Sequence, residues 1–233
     1  MQTRIALLAS TAIAALALAA PADAKGGGWY VNLTGGANFL DDENFAIIAG
    51  SSIFAANLDA DTGFVVAGAI GMHFGNVMNG LRGEIEVAYR QNQVDGVFTT
   101  NSAGTPQSGV LDYDHESFSV LANVWWDIPL GTSFSPYIGG GVGWGDTNVD
   151  GTFTCTFGFC AGTAAAFDNS EDGFAWQLGA GVNFAISPNV DLGVGYRYYQ
   201  GPEPFLAAPF TTSFTHDVEN QNHSAVVTLT FVM

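Results

Sequence analysis

Eight stretches of this chain alternate between apolar and polar side chains with a period of two, and none places a charge on its apolar face. That period is the signature of a β-strand, whose successive side chains point to opposite faces. The runs fall at about 29–40, 63–74, 81–93, 114–128, 136–145, 174–186, 190–199 and 222–233. In the third, Leu81, Ile85, Val87 and Tyr89 oppose Arg82, Glu84, Glu86 and Arg90. In the sixth, Trp176, Leu178, Ala180, Val182 and Phe184 oppose Gln177, Gly179, Gly181 and Asn183. The connections alternate in length: long polar segments at 41–62, 94–113, 146–173 and 200–221, short turns at 75–80, 129–135 and 187–189. Long connections at one end and short ones at the other are the pattern of a membrane barrel. Pro129 and Pro188 lie in turns and Pro136 opens a strand, so no proline interrupts a ladder.

Alternation alone does not say which face points outward. A soluble sandwich or lipocalin-like barrel buries the apolar face, whereas a membrane barrel turns it to lipid. Three features favour lipid. Charged residues make up only 12% of the chain, about half the share of a soluble domain. Past the N-terminus no stretch reaches the ~18–20 apolar residues of a helical span, and a closed barrel crosses without one because every backbone group is paired. Finally, Arg82, Arg90 and Arg197 all fall on the polar face; one Arg or Lys facing mid-bilayer costs about 2–4 kcal/mol. Tyr89, Trp126, Trp144, Trp176, Tyr196, Tyr198 and Phe231 are expected to form interfacial girdles.

The first residues read differently. Residues 1–4 carry a positive charge, 5–20 form an Ala/Leu-rich run, and Ala22-Asp23-Ala24 reads as a cleavage site. Residues 1–24 are therefore expected to be a secretory signal peptide and 25–233 the mature barrel. The formal charge of −17 argues against nucleic acid and anionic lipid headgroups as partners, since both need Lys and Arg.

Five segments carry a family resemblance: GFVVAGAIGMHFG (63–75), SFSVLANVWWD (117–127), PYIGGGVGWG (136–145), FAWQLGAGVNFAISPNVDLGVGYRYYQ (174–200) and SAVVTLTF (224–231). They resemble the opacity-protein and major-surface-antigen family of small outer-membrane β-barrels, which is similar in architecture to the membrane domain of outer membrane protein A. The resemblance implies an all-β, eight-stranded antiparallel up-and-down transmembrane barrel with periplasmic termini and four variable surface loops. Ten strands are the alternative, should 146–173 hide a further hairpin. It implies roles in envelope integrity, surface display or adhesion, with outer-membrane lipid, the barrel-assembly machinery and a host or cell-surface receptor as partners. It brings no catalytic residue and no cofactor. Family barrels usually end on an aromatic residue; here Phe231 stands two positions before Met233.

Three groups of residues could carry function. Arg82, Glu84, Glu86, Arg90, Asp127, Asp191 and Arg197 are expected to form an ion-pair network filling the lumen, because an eight-stranded barrel leaves little free space and buried charges must be paired. The alternative is a small-solute porin or narrow cation-preferring channel. Cys155 and Cys160 are expected to form a disulfide in an oxidising compartment, with Phe157 and Phe159 presented at its tip as a brace or a contact knob. Asp41-Asp42-Glu43, Asp59, Asp61, Glu171-Asp172, Asp217 and Glu219 read as solvated acids, with weak calcium binding as the alternative. Two cysteines without a nearby histidine make no zinc set, so no metal is expected. A lipid-modifying enzyme is the remaining class. His115 and Ser117 share a face, His223 and Ser224 do not, and His73 reads as a lumen residue.

Overall fold

The eight alternating runs close into a ring. A computed structural model describes residues 28–49, 52–74, 79–102, 105–130, 133–207 and 215–233; the expected signal peptide lies outside them. In chain order the strands are β1 (Trp29–Leu40), β2 (Glu43–Ala49), β3 (Ser52–Ala60), β4 (Gly63–His73), β5 (Leu81–Ser102) and β6 (Thr105–Asp127). Then come β7 (Phe134–Phe157), β8 (Ala164–Ser187), β9 (Val190–Gln200), β10 (Phe205–Ala207), β11 (Thr215–Asp217) and β12 (Gln221–Val232). The order β5-β4-β1-β12-β9-β8-β7-β6 is closed by the β5–β6 pairing, so the ring has eight strands, all antiparallel. Hairpin β2–β3 extends the wall beside the upper half of β5, and β10–β11 form a separate small ribbon.

The apolar faces of the eight runs point outward, while Val65, Leu121, Trp125 and Val226 lie on the inner face. Ile85, Val87, Val124, Val142, Leu178, Val194 and Val227 are exposed, while Arg82, Glu84, Glu86, Arg90 and Arg197 are buried inside. An apolar wall this continuous marks a surface that meets lipid or a partner rather than water. Aromatic rings bound it: Trp29, Trp126, Phe134 and Phe184 near the short turns, Phe39, Phe64, Trp144 and Phe174 at the other end. On β6 the wall runs from Trp126 to Phe118, roughly 20 Å along a tilted strand, close to the apolar band of membrane barrels.

The segments expected as loops at 94–113 and 146–173 are instead the upper halves of β5, β6, β7 and β8. No extra hairpin enters the ring, and 41–62 folds into the β2–β3 hairpin. The physical reason is a reversal of the face code. Along β6, Phe118, Val120 and Val124 face out and Ser117, Ser119 and Asn123 face in; above His115, Asp112 and Asp114 face out and Leu111 and Tyr113 face in. The lower half is arranged for hydrocarbon outside and the upper half for water outside. Leu40, Phe54, Leu58, Val94, Phe98, Leu111, Tyr113, Val149, Phe153 and Val218 therefore pack as an apolar core inside the extension. Burying each large apolar side chain there is worth about 1.5–3 kcal/mol.

Candidate functional site: the filled lumen and the braced tip

Within the ring, polar side chains lie in tiers. Near the short turns Arg82 donates from Nε to Asp127 at 2.9 Å and lies 3.5 Å from Glu84. Its guanidinium is boxed by the rings of Tyr30, Trp125 and Tyr137, at 5.6, 5.8 and 5.5 Å from their centroids. Glu84 is the hub. It accepts from Tyr30 Oη at 2.8 Å, Asn32 Nδ2 at 2.9 Å, Trp125 Nε1 at 2.8 Å and Asn123 Nδ2 at 3.2 Å. Asn123 Oδ1 accepts from Gln177 Nε2 at 2.8 Å, and the same nitrogen donates to Glu86 at 2.9 Å. Glu86 is ion-paired to Arg197. Higher up, Arg90 stacks on the Tyr199 ring at 3.8 Å and donates to Ser119 at 3.1 Å.

Six of the seven expected network residues therefore meet in this stack, although Arg90 makes its contacts with a ring and a hydroxyl rather than a carboxylate. The seventh, Asp191, lies lower, on a cavity of about 320 Å³ at the short-turn mouth that His73, Arg82, Asp127 and Asn183 also line. Trp125 was not singled out by its sequence, yet it is 1% exposed and central to the tier. Strand parity is the available signal, because it stands two residues after inward-facing Asn123. Gly139 and Gly179 leave it room: a Cβ at either would come within 2.7 or 3.1 Å of its ring.

Above the charges lies an amide tier. Asn38 Nδ2 donates to Asn92 at 2.6 Å and to Asn222 at 2.5 Å, Ser224 donates to Asn38 at 2.6 Å, and Asn220 donates to Thr147 at 2.6 Å. The apolar core then closes the upper half. His115 sits beneath it, 1% exposed. His115 and Ser117 share the inner face, both sealed from lipid, and His223 and Ser224 lie on opposite faces. No group of three or more His, Cys, Asp or Glu that could hold a metal occurs among the described residues.

The tip beyond β7 is closed by the Cys155–Cys160 disulfide. Gly158 and Gly162, at φ of 102° and 85°, supply the left-handed turns it requires. Phe157 and Phe159 are 60% and 74% exposed there.

Outside, the extension carries an acidic face. Asp114 on β6 pairs with Asp150 on β7, which pairs with Asp168 on β8, and Asp146 pairs with Asp172. Burial, then the Asp114 and Asp168 charges, raises the Asp150 carboxyl above its usual range. A raised carboxyl contributes stability below the unfolded value of about 3.9 and loses it as pH rises through the folded value. Asp150→Asn is expected to stabilise the protein at pH 7 by a few tenths to about 1 kcal/mol, a solvent-screened cross-strand effect, and to do nothing at pH 3. Urea unfolding from lipid vesicles at the two pH values checks this; an equal gain at both would contradict it.

Comparison with known proteins agrees with this geometry. Residues 6–231 match the family described as "Outer membrane protein beta-barrel domain". An outer membrane protein of Gluconacetobacter diazotrophicus is 32% identical over 235 residues, covering 94% of this chain; the chain spans 58% of that protein's length. Outer membrane protein PagN of Salmonella typhimurium is 31% identical over 78 residues, 34% of this chain and 31% of its own. The crystal structure of Neisserial surface protein A covers 90% of this chain and 100% of its own at 17% identity, with a TM-score of 0.52, a likeness of fold. By its sequence match and its lipid-facing ring, the chain belongs to the outer membrane protein beta-barrel domain family and resides in the bacterial outer membrane.

Proposed function

We propose that this protein is a non-enzymatic envelope component that displays a rigid β-structure above the membrane for contact with a neighbouring or host surface. The observation carrying this reading is the upper half of the ring. It is filled by its own apolar core and continues into a disulfide-braced tip with two exposed phenylalanines. A barrel serving transport needs a continuous path, and here the mouth cavity gives way to the Glu84, amide and apolar tiers in turn. A structure serving contact needs a preorganised surface, since ordering a loop on binding consumes affinity.

The test is replacement of Phe157 and Phe159 by serine with the disulfide intact. Exposed aromatic anchors are typical hot spots, worth about 2 kcal/mol or more, so adhesion of whole cells to epithelial or bacterial surfaces is expected to fall at least about tenfold. Unchanged adhesion with undiminished surface display contradicts the reading. In planar bilayers the purified protein is expected to give no steady single-channel steps; steady steps would favour a narrow channel instead.

A further inference from the structure

Arg82, Arg90 and Arg197 are the only Lys or Arg among the described residues, and all three are buried. The described outer surface thus offers carboxylates to its surroundings and no Lys or Arg. One stretch of the lipid-facing wall combines this charge with aromatic rings. At the rung of Tyr196, on β9, the neighbours are Ala225, Ala37 and Ala180. Among these small side chains the Tyr196 ring is 49% exposed. One rung higher stand His223 and Tyr198, register partners with rings 5.2 Å apart. His223 Nδ1 lies 2.5 Å from Tyr196 Oη, and its Nε2 lies 3.4 Å from Asp41 Oδ1. Above them Trp176 tilts against Tyr198 at 5.3 Å. The upper rim is acidic: Asp41 is joined by Glu219, bonded to Gln221 at 2.9 Å, and Glu203, bonded to Gln200 at 3.5 Å.

We propose that this part of the wall binds a lipid whose headgroup carries a quaternary ammonium, the choline type. The vertical order of groups matches the order within such a lipid. The acyl chains lie against the wall below, where Val194 and Val227 are exposed. The phosphate accepts from the Tyr196 O–H, which is free when His223 Nδ1–H donates to the Tyr196 oxygen. The ammonium rests on the Trp176 and Tyr198 rings beneath the carboxylate rim. Aromatic faces attract ammonium groups through the ring quadrupole, and the carboxylates add charge of the same preference. Headgroups of net negative charge are disfavoured, because the described surface offers carboxylates and no exposed Lys or Arg.

The full chain, purified in maltoside detergent, is titrated with dihexanoyl-phosphatidylcholine, with dihexanoyl-phosphatidylglycerol as the matched lipid lacking an ammonium. The Trp176 indole and the Tyr198 and His223 amides are followed by NMR. The choline lipid is expected to give saturable shifts at these three positions, with a Kd at least about tenfold below that of the glycerol lipid. Trp176→Leu should abolish the preference. Asp41→Asn, a change at an exposed position that leaves the ring intact, should reduce it several-fold. Equal affinity for the two lipids, or a preference unmoved by both substitutions, overturns the proposal. So does binding of the glycerol lipid with added magnesium as tight as that of the choline lipid, which would mark a divalent-cation site.

Discussion

Replacing Glu84 with alanine is expected to destabilise the barrel by about 3–5 kcal/mol, the range for removing one partner of a buried charge pair. The size follows from the number of groups left behind. Glu84 is 5% exposed and receives hydrogen bonds from Tyr30, Asn32, Asn123 and Trp125, with Arg82 alongside. In the variant those buried donors lose their shared acceptor, and Arg82 keeps only Asp127 as its carboxylate. Each buried group that loses its partner costs about 1–3 kcal/mol. Glu84→Gln should cost distinctly less, because its carbonyl oxygen still accepts. Glu219→Ala, at an exposed position, should stay within about 0.5 kcal/mol. Urea unfolding from lipid vesicles, followed by gel mobility with and without boiling, measures all three. A loss below about 1 kcal/mol for Glu84→Ala would show that the network is not the stabilising element described.

The second large effect concerns the outer wall. Val142 is 54% exposed at mid-height on β7, between Ile138 and Trp144. Val142→Arg should cost about 2–4 kcal/mol in bilayer-embedded protein. Thr152→Arg, ten residues further along the same face but in the acidic extension, should be neutral or mildly stabilising. One substitution type then reports opposite surroundings on a single strand. Equal tolerance at both positions would mean that Val142 does not face hydrocarbon.

The lower half of the fold was legible because lipid leaves a strict code. The runs at 29–40 and 190–199 match β1 and β9 to within a residue, and the polar face of the third run supplied Arg82, Glu84, Glu86 and Arg90 of the lumen. The upper halves of β5 to β8 were read as loops because the code inverts there. Asp112, Asp114 and Asp150 occupy positions whose counterparts below are Val120, Val124 and Val142, while Leu111, Val149 and Phe153 move inside. Across the crossover neither face is uniformly apolar, so a period-two pattern dissolves although the strand continues. Gly109 and Gly151 weaken the signal further, since glycine is depleted in strands. Trp125 escaped notice for a related reason. It stands beside Trp126 of the expected girdle, and only parity turns its ring inward. The rings around Arg82 and the stacking of Tyr199 on Arg90 join residues up to 109 positions apart, so they emerge only once the register is known.

That adjacent tryptophan pair offers the most direct test of the central claim, that one face of each strand meets lipid while the other seals the lumen. Trp126 is 47% exposed on the outer wall, and Trp125 is 1% exposed beside Glu84. Two variants, each retaining one of the pair with the other tryptophans changed to phenylalanine, are reconstituted in vesicles of lipid brominated along the acyl chain. Fluorescence of Trp126 should be strongly quenched and that of Trp125 nearly unaffected. Quenching of Trp125 as deep as that of Trp126, or of neither, would contradict the orientation on which this account rests.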